Sequence, residues 1–323
     1  MSDTLDTGDA ATGDASAAFA SLRGLALGDG FGERWFFHQR QEAIEMVSRR
    51  TTPGDKPWKW TDDTVMALAL VRVLAEQGSI DQQDLAVSFA DMYAADPYRN
   101  FGRGMHQLLP KLGEDPGNWA TYARTLFGGE GSLGNGAAMR VAPLGAWFRH
   151  DPELAAAQAV LASEVTHAHP EGIAGGVAVA VAAALAAGTS DGAGEEPAPE
   201  PHALLTATAE RTPAGVIREG LLRAADLPPD TSVPQAVAVL GSGRRIRASD
   251  TVPFAVWTAA HHLDSLTDAL WATAAGFGDV DTTCAITGGI VAARTGLRGV
   301  SARWLELAEA LPEWVGQSPT PTG

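Results

Sequence analysis

The chain holds 323 residues, 45% of them hydrophobic and 19% charged, with a formal net charge of −16 and a single cysteine, Cys284. That length is ample for one large core or two closely joined subdomains. One cysteine excludes an internal disulfide and any cysteine-built metal cage, and the acidic balance opposes general nucleic-acid binding through a basic surface.

Part of the charge lies outside the expected core. Setting aside Asp3, Asp6, Asp9 and Asp14 in the N-terminal stretch and Asp191, Glu195, Glu196 and Glu200 in a Gly/Pro-rich insert leaves about −8, which is still acidic. The most apolar run, 173–188, is mostly Ala, Val and Gly and reads as a buried helix, not a membrane span. No basic-then-apolar leader is visible at the N-terminus. The expected setting is cytoplasmic, without membrane attachment, and the default expectation is a monomer.

Residues 1–16 are Ser, Thr, Asp, Gly and Ala with hardly a large apolar side chain, so they are expected to be a disordered acidic tail. Ala17 to Gly32 reads as a helix of small residues ending in Gly28-Asp29-Gly30-Phe31-Gly32, where glycines permit a sharp exit with positive φ. Glu33 follows beside Arg34. Residues 36–60 show no period and read as a loop passing over a site. Thr61-Asp62-Asp63-Thr64 then opens an almost wholly apolar helix to Gln77, which Gly78 should end. Thr61 is a good N-cap, and Asp62 and Asp63 fall where the helix dipole favours negative charge. On its own this is a well-capped helix.

Asp81 caps the next helix, 84–94, and 96–104 is a turn containing Asp96 and Phe101 before helical pieces at 105–112 and 119–126. The run Gly128-Gly129-Glu130-Gly131-Ser132-Leu133-Gly134-Asn135-Gly136 precedes Ala137-Ala138-Met139-Arg140. A glycine-rich loop before a helix suits phosphate, because free N–H groups point outward there. It is not the GxxxxGK[ST] pattern and no strand precedes it, so a P-loop is rejected. His167-Ala168-His169-Pro170 sits at a helix end. Histidines two apart do not share a helical face, which favours structural or substrate contacts over a zinc pair. Residues 189–201 read as a flexible insert. Further helices are expected at 203–211, 213–225, 231–240, 252–257, 265–275 and 300–311, with Arg244, Arg245 and Arg247 in the loop 242–251 and a tail over 313–323.

Gly278-Asp279-Val280-Asp281-Thr282-Thr283 runs into an apolar helix from Cys284 to Ala293 and repeats the acidic-Thr helix start of Thr61-Asp62-Asp63. Two such starts can bring several carboxylates and hydroxyls together, which outlines a hard-cation site suited to Mg²⁺. No sustained alternating strand pattern occurs. The expected fold is all-α, a compact single domain over 17–312 of roughly a dozen helices packed as an orthogonal bundle.

Five stretches carry a resemblance in this order: Leu27-Gly28-Asp29-Gly30-Phe31-Gly32, Thr61-Asp62-Asp63-Thr64, Gly134-Asn135-Gly136-Ala137-Ala138-Met139-Arg140, Thr166-His167 and Gly278-Asp279-Val280-Asp281-Thr282. Over about residues 17–310 the chain resembles the ADP-ribosylglycohydrolases, the family of dinitrogenase-reductase-activating glycohydrolase and the ADP-ribosyl-acceptor hydrolases. The resemblance implies an all-α fold with a binuclear Mg²⁺ (or Mn²⁺) centre at the base of an ADP-ribose cleft. Thr61, Asp62 and Asp63 would form one half of the centre and Asp279, Asp281 and Thr282 the other.

The implied activity is cleavage of the C1″ glycosidic bond between ADP-ribose and an acceptor such as arginine, serine or an O-acetyl group. The partner is accordingly an ADP-ribosylated protein or an ADP-ribose-containing small molecule. Glu33, Asp62 and Asp63 are the catalytic candidates. Asp96, Phe101, Gly134, Asn135, Gly136, Met139 and His167 are the expected substrate-binding residues, with Phe101 or Trp257 as a stacking aromatic.

The chain departs from the family where many relatives carry a glutamate seven residues after the aspartate of the Gly-Asp motif. That position is Phe36, and Glu33 is the nearest carboxylate. Either Glu33 takes over that place, or it pairs with Arg34 or Arg40 and Asp62, Asp63 or Asp96 is the base. Two other functions stay open: an ADP-ribose-binding protein of weak or no activity, and a hydrolase of another ribosyl or phosphorylated metabolite.

Overall fold

The computed structural model describes residues 13–54, 57–189 and 197–316. The helices in chain order are α1 (Ala15–Glu33), α2 (Arg40–Ser48), α3 (Asp62–Gln77), α4 (Gln82–Ala95), α5 (Arg103–Glu114), α6 (Trp119–Thr125), α7 (Ala142–Trp147) and α8 (Pro152–Glu164). They continue with α9 (Pro170–Gly188), α10 (Pro201–Arg211), α11 (Val216–Ala225), α12 (Val233–Leu240), α13 (Ala248–His261), α14 (Leu266–Ala274), α15 (Val280–Thr295) and α16 (Ala302–Leu307). Among the described residues the only β-pairing is two isolated bridges, Trp58 with Ala308 and Gly134 with Arg247. The expected all-α domain is what forms.

Its centre is the pairing of α1 with α15. A Cβ at Gly28 would stand 2.1 Å from the Cys284 carbonyl oxygen, one at Gly24 2.5 Å from that of Gly288, and one at Gly32 2.4 Å from that of Val280. Only glycine lets the two backbones lie this close. The expected sharp exit at these glycines is corrected: Gly28, Gly30 and Gly32 have no positive φ, and α1 runs on to Glu33. The chain turns only after Glu33, and near this helix end the Phe31 ring is held by Trp35, Trp58, Trp271 and Trp304 at centroid distances of 5.5, 5.4, 5.2 and 4.8 Å.

Helix α3 packs against α1, α7 and α15 and is buried nearly all round, as its apolar composition requires. Gly78 ends it in the left-handed region at φ 78°, and Asp81 caps α4 by accepting from Gln83 and Asp84 N–H. Helix α9 is long and apolar enough to cross a membrane, yet 78% of its apolar window is buried inside the protein. It is surrounded by α7, α8, α10, α13 and α15, which accounts for its composition.

The expected loop over 36–60 starts within a 3₁₀ turn, Arg34–Phe37, and contains the helix α2. Only Ala43 of α2 is buried, so no apolar period marks it in the sequence. The glycine-rich run does not open directly into a long helix either: a three-residue 3₁₀ turn, Asn135–Ala137, intervenes before α7. At the N-terminal side, order begins before residue 17. Asp14 accepts from Ala17 N–H at 3.0 Å and pairs with Arg149 at 2.8 Å. At the other end Trp314 lies under Arg72 and Val315 is buried, so 313–316 packs on the body instead of forming a free tail. The disorder expected for 1–12, most of the insert (190–196) and the end of the tail (317–323) lie outside the described residues.

Candidate metal centre and ligand cleft

Thr61 occupies the N-cap position of α3, but its side chain does not cap. Asp29, near the C-terminal end of α1, does so instead. Its Oδ2 accepts from Thr61 N–H at 2.8 Å, Thr64 N–H at 3.2 Å and the Thr64 hydroxyl at 2.6 Å, and its Oδ1 accepts from the Thr61 hydroxyl at 3.0 Å. Satisfying the free N–H groups of α3 through a carboxylate on another helix fixes that helix start against α1. Burial lifts the Asp29 carboxyl to about 6, the four hydrogen bonds offsetting only part of the rise.

Asp63 follows, almost fully buried, with Oδ2 near the Thr61 hydroxyl at 3.1 Å and Oδ1 without any hydrogen-bond partner. A buried carboxylate oxygen left unpaired is costly unless something positive meets it. Across the cleft floor the start of α15 supplies Asp279, Asp281 and Thr282. Asp281 Oδ1 accepts from Thr282 N–H at 2.8 Å, and Asp279 Oδ2 accepts from Asn135 Nδ2 at 2.7 Å.

Burial pushes Asp62, Asp63 and Asp281 well above the usual carboxylate range, and neighbouring charge adds to the rise: Asp29 raises all three, Asp281 and Asp62 raise Asp63, and Asp279 raises Asp281. These groups therefore sit close enough to repel one another. An assembly of carboxylate and hydroxyl oxygens under mutual repulsion, one oxygen orphaned, fits hard divalent cations such as Mg²⁺ or Mn²⁺. Among the described residues no three Asp, Glu, His or Cys side chains already close around one point. The fit rests on the donor set and the orphaned oxygen.

The carboxylates end a cleft of about 660 Å³. It brings together Asp62, Asp63, Asp279, Asp281, Thr282, Gly134, Asn135, Gly136, Met139 and His167. One wall is the glycine-rich run; the Gly134–Arg247 bridge and an N–H bond from Ala248 to the Leu133 carbonyl at 3.1 Å join it to the loop before α13. His167 is buried at the wall, burial and the nearby Arg140 charge holding its imidazole down to about 3.

Four expected residues, Glu33, Asp96, Phe101 and Trp257, lie elsewhere. Glu33 and Asp96 line a neighbouring polar groove with Thr61, Trp60, Arg99 and Asn100. Glu33 Oε1 accepts from Asn100 Nδ2 at 3.0 Å, not from an ion pair with Arg34 or Arg40, and Asp96 accepts from Arg99 Nε at 2.9 Å. Asn100 borders both spaces. Phe101 is buried edge-on against Tyr93 at 5.0 Å, and Trp257 lies in the core beside Phe254; neither lines the cleft.

Sequence reasoning missed the aromatic that does line it. Phe127 is 59% exposed at the cleft with φ 53°, and Ile246 is 63% exposed with φ 55°. Bulky residues in the left-handed region, exposed at a cleft mouth, carry strain that a functional contact would explain. Arg103, Arg245 and Arg247 line the same space, a cationic wall in an acidic chain. The only sequence signal for Arg245 and Arg247 was the basic cluster at 244–247, and Arg103 had none.

The whole described body matches a family model for ADP-ribosylglycohydrolase over residues 11–318. Curated relatives include ADP-ribosylhydrolase ARH3 of Homo sapiens, 33% identical over 171 residues covering 48% of this chain and 46% of that protein. ADP-ribosyl-[dinitrogen reductase] glycohydrolase of Rhodospirillum rubrum is 31% identical over 159 residues, covering 47% and 52%. The matched stretches span about half the length of these relatives. A solved ADP-ribosylglycohydrolase-related protein complex has the same fold, with a TM-score of 0.55 at 23% identity over 91% of this chain and 93% of that one. On the family match across nearly its full length, the chain belongs to the ADP-ribosylglycohydrolase family.

Proposed function

We propose that the protein is a divalent-cation-dependent hydrolase that cleaves the C1″ glycosidic bond joining ADP-ribose to an acceptor, a protein side chain or a small molecule. The observation that supports it most is the placing of the oxygen-donor cluster, with its orphaned Asp63 Oδ1, at the end of an arginine-lined cleft of ligand size. Thr61, Asp62 and Asp63 would hold one side of a two-cation centre, and Asp279, Asp281 and Thr282 the other. When bound, Mg²⁺ or Mn²⁺ supplies positive charge toward the distal-ribose hydroxyls and lowers the pKa of the attacking water.

The chain's own residues supply the rest. Arg103, Arg245 and Arg247 offset the diphosphate charge, helped by outward N–H groups of the glycine-rich run. Phe127 and Ile246 offer apolar surface to the base at the mouth. Asn135 orients Asp279 through its 2.7 Å bond. Glu33 is half-buried with its carboxyl raised by burial, so it is suited to take a proton from water and return it to the departing acceptor. It faces the groove that meets the cleft at Asn100, which gives the acceptor a way out.

A second reading follows from Phe36, half-exposed where many relatives carry a glutamate: the protein binds ADP-ribose without hydrolysing it. Turnover by the unmodified protein separates the two, and Glu33→Gln tests the role of Glu33. For a hydrolase this variant keeps ADP-ribose affinity by calorimetry within about threefold and loses turnover by roughly 10²–10⁴-fold, the worth of a positioned general base. Unchanged turnover would remove Glu33 from the mechanism, and binding without turnover in the unmodified protein would favour the silent binder.

A further inference from the structure

Arg140 is fully buried beneath the glycine-rich run. Its guanidinium donates from one terminal nitrogen to the Gly136 carbonyl at 3.2 Å, and from the other to the Ala162 carbonyl at 3.0 Å and the Thr166 hydroxyl at 2.8 Å. The Phe89 ring covers its face at 4.5 Å. Thr166, also fully buried, has its hydroxyl 2.8 Å from His167 Nδ1.

A guanidinium has no lone pair to offer, so the Arg140–Thr166 contact has one polarity: Thr166 Oγ1 accepts. The hydroxyl hydrogen is then left for His167 Nδ1. Were Nδ1 to carry the proton instead, two donors would converge on Thr166 Oγ1, and the hydroxyl hydrogen would be buried without an acceptor, which folded proteins avoid. The satisfied arrangement puts the imidazole proton on Nε2.

Nε2 faces the ligand space. It lies 3.2 Å from where a Cβ at Gly136 would stand and 3.7 Å from one at Gly134, and His167 lines the cleft together with both glycines. A side chain at 136 would cover it. Burial and the Arg140 charge keep the ring neutral.

We propose that Arg140 and Thr166 are positioning residues that lock His167 in its Nε2–H tautomer, so that the cleft presents a fixed neutral donor to an acceptor atom of ADP-ribose. The ligand half of this statement rests on the function proposed above; the tautomer half does not. Because Arg140 also holds the Gly136 carbonyl, one buried cation sets both the glycine turn and the donor beside it.

The test uses the full chain, ¹⁵N-labelled at histidine, with the His167 signals identified by their loss in His167→Asn. Long-range proton–nitrogen correlation spectra at neutral pH without ligand report the tautomer, and calorimetry with ADP-ribose reports affinity. The unmodified protein is expected to show Nε2–H. Thr166→Val, which keeps shape and removes the hydroxyl, is expected to mix the tautomers and weaken ADP-ribose roughly tenfold with the fold intact. Thr166→Ser restores both, and Arg140→Met, where it folds, shifts the same spectrum.

Nδ1–H or a doubly protonated ring in the unmodified protein overturns the relay, as does a Thr166→Val spectrum identical to the unmodified one. A shifted tautomer with unchanged affinity overturns the donor role in the cleft. Failure of the unmodified protein to bind ADP-ribose overturns the functional reading, while the spectrum still decides the tautomer.

Discussion

Asp29, reaching across from α1, fixes the start of α3 on which the candidate centre is built. Read linearly, Gly28-Asp29-Gly30 looks like a helix end; in space its carboxylate holds Thr61 and Thr64 from a different helix. A cap supplied 32 residues away carries no local pattern. Asp29→Ala should leave two backbone N–H groups and the Thr64 hydroxyl short of an acceptor, while the Thr61 hydroxyl keeps Asp63 Oδ2 at 3.1 Å. The expected loss is about 2–4 kcal/mol, read from denaturant unfolding; a change below about 0.5 kcal/mol would mean that α3 is held by its packing alone.

His167 gives a pH dependence with a definite sign. Its folded pKa, held down to about 3, lies below the unfolded value of 6.5, so the unfolded chain binds the extra proton between these limits. Its contribution to stability is full above about pH 6.5 and is lost as pH falls toward 3, at up to about 1.4 kcal/mol per unit. His167→Asn should therefore flatten the acid limb of the unfolding midpoint relative to the unmodified protein; parallel limbs would contradict the burial of a neutral ring. Aromatic type misled in the opposite direction: Phe101 went to the core, and Phe127 and Ile246, with no periodicity around them, went to the cleft.

At the level of elements, helix existence was largely legible where a helix is buried nearly all round, as α3 and α9 are, or on one face, as α4 is, because core contact imposes an apolar pattern. The helix α2 was not, since almost nothing of it is buried. The glycines of α1 were the harder case. A glycine string reads equally as an exit or as a surface for close backbone approach, and only the partner helix decides. Gly28→Val tests this directly, because its Cβ would meet the Cys284 carbonyl at 2.1 Å. Forcing α1 and α15 apart should cost about 1–3 kcal/mol or more and move Asp29 and Glu33 away from Asp281. The protein should lose its stabilisation by Mg²⁺ in thermal melts before it loses its helical content by circular dichroism. Retention of both would refute the close pairing as the support of the site.

Across the whole molecule, an all-α body and two acidic-Thr helix starts could be read from the sequence, but that both starts meet at one cleft floor was implied by the family resemblance, not by local pattern. That meeting depends on α1 bridging α3 and α15, a long-range arrangement that no local spacing encodes. The two candidate catalytic neighbourhoods also separated in space, with Glu33 and Asp96 in a groove beside the cleft that holds Asp62 and Asp63. A cluster of carboxylates pushed above their ordinary range is unfavourable until cations meet it. Mg²⁺ should therefore raise the melting temperature of the unmodified protein beyond the effect of matched monovalent salt, and Asp62→Asn and Asp281→Asn should reduce that rise. An equal response in all three proteins would place the cation elsewhere.

The most direct measurement of the central claim is release of free ADP-ribose by the full chain from arginine-linked, serine-linked and O-acetyl-linked substrates, each with Mg²⁺ and after chelation. Turnover of at least one linkage is predicted with Mg²⁺, lost on chelation, regained on adding Mg²⁺ or Mn²⁺, and reduced by at least about a hundredfold in Asp281→Asn, since even groups outside the ligand shell are worth 10–100-fold. No release from any linkage with either metal, or release that chelation leaves untouched, would contradict it.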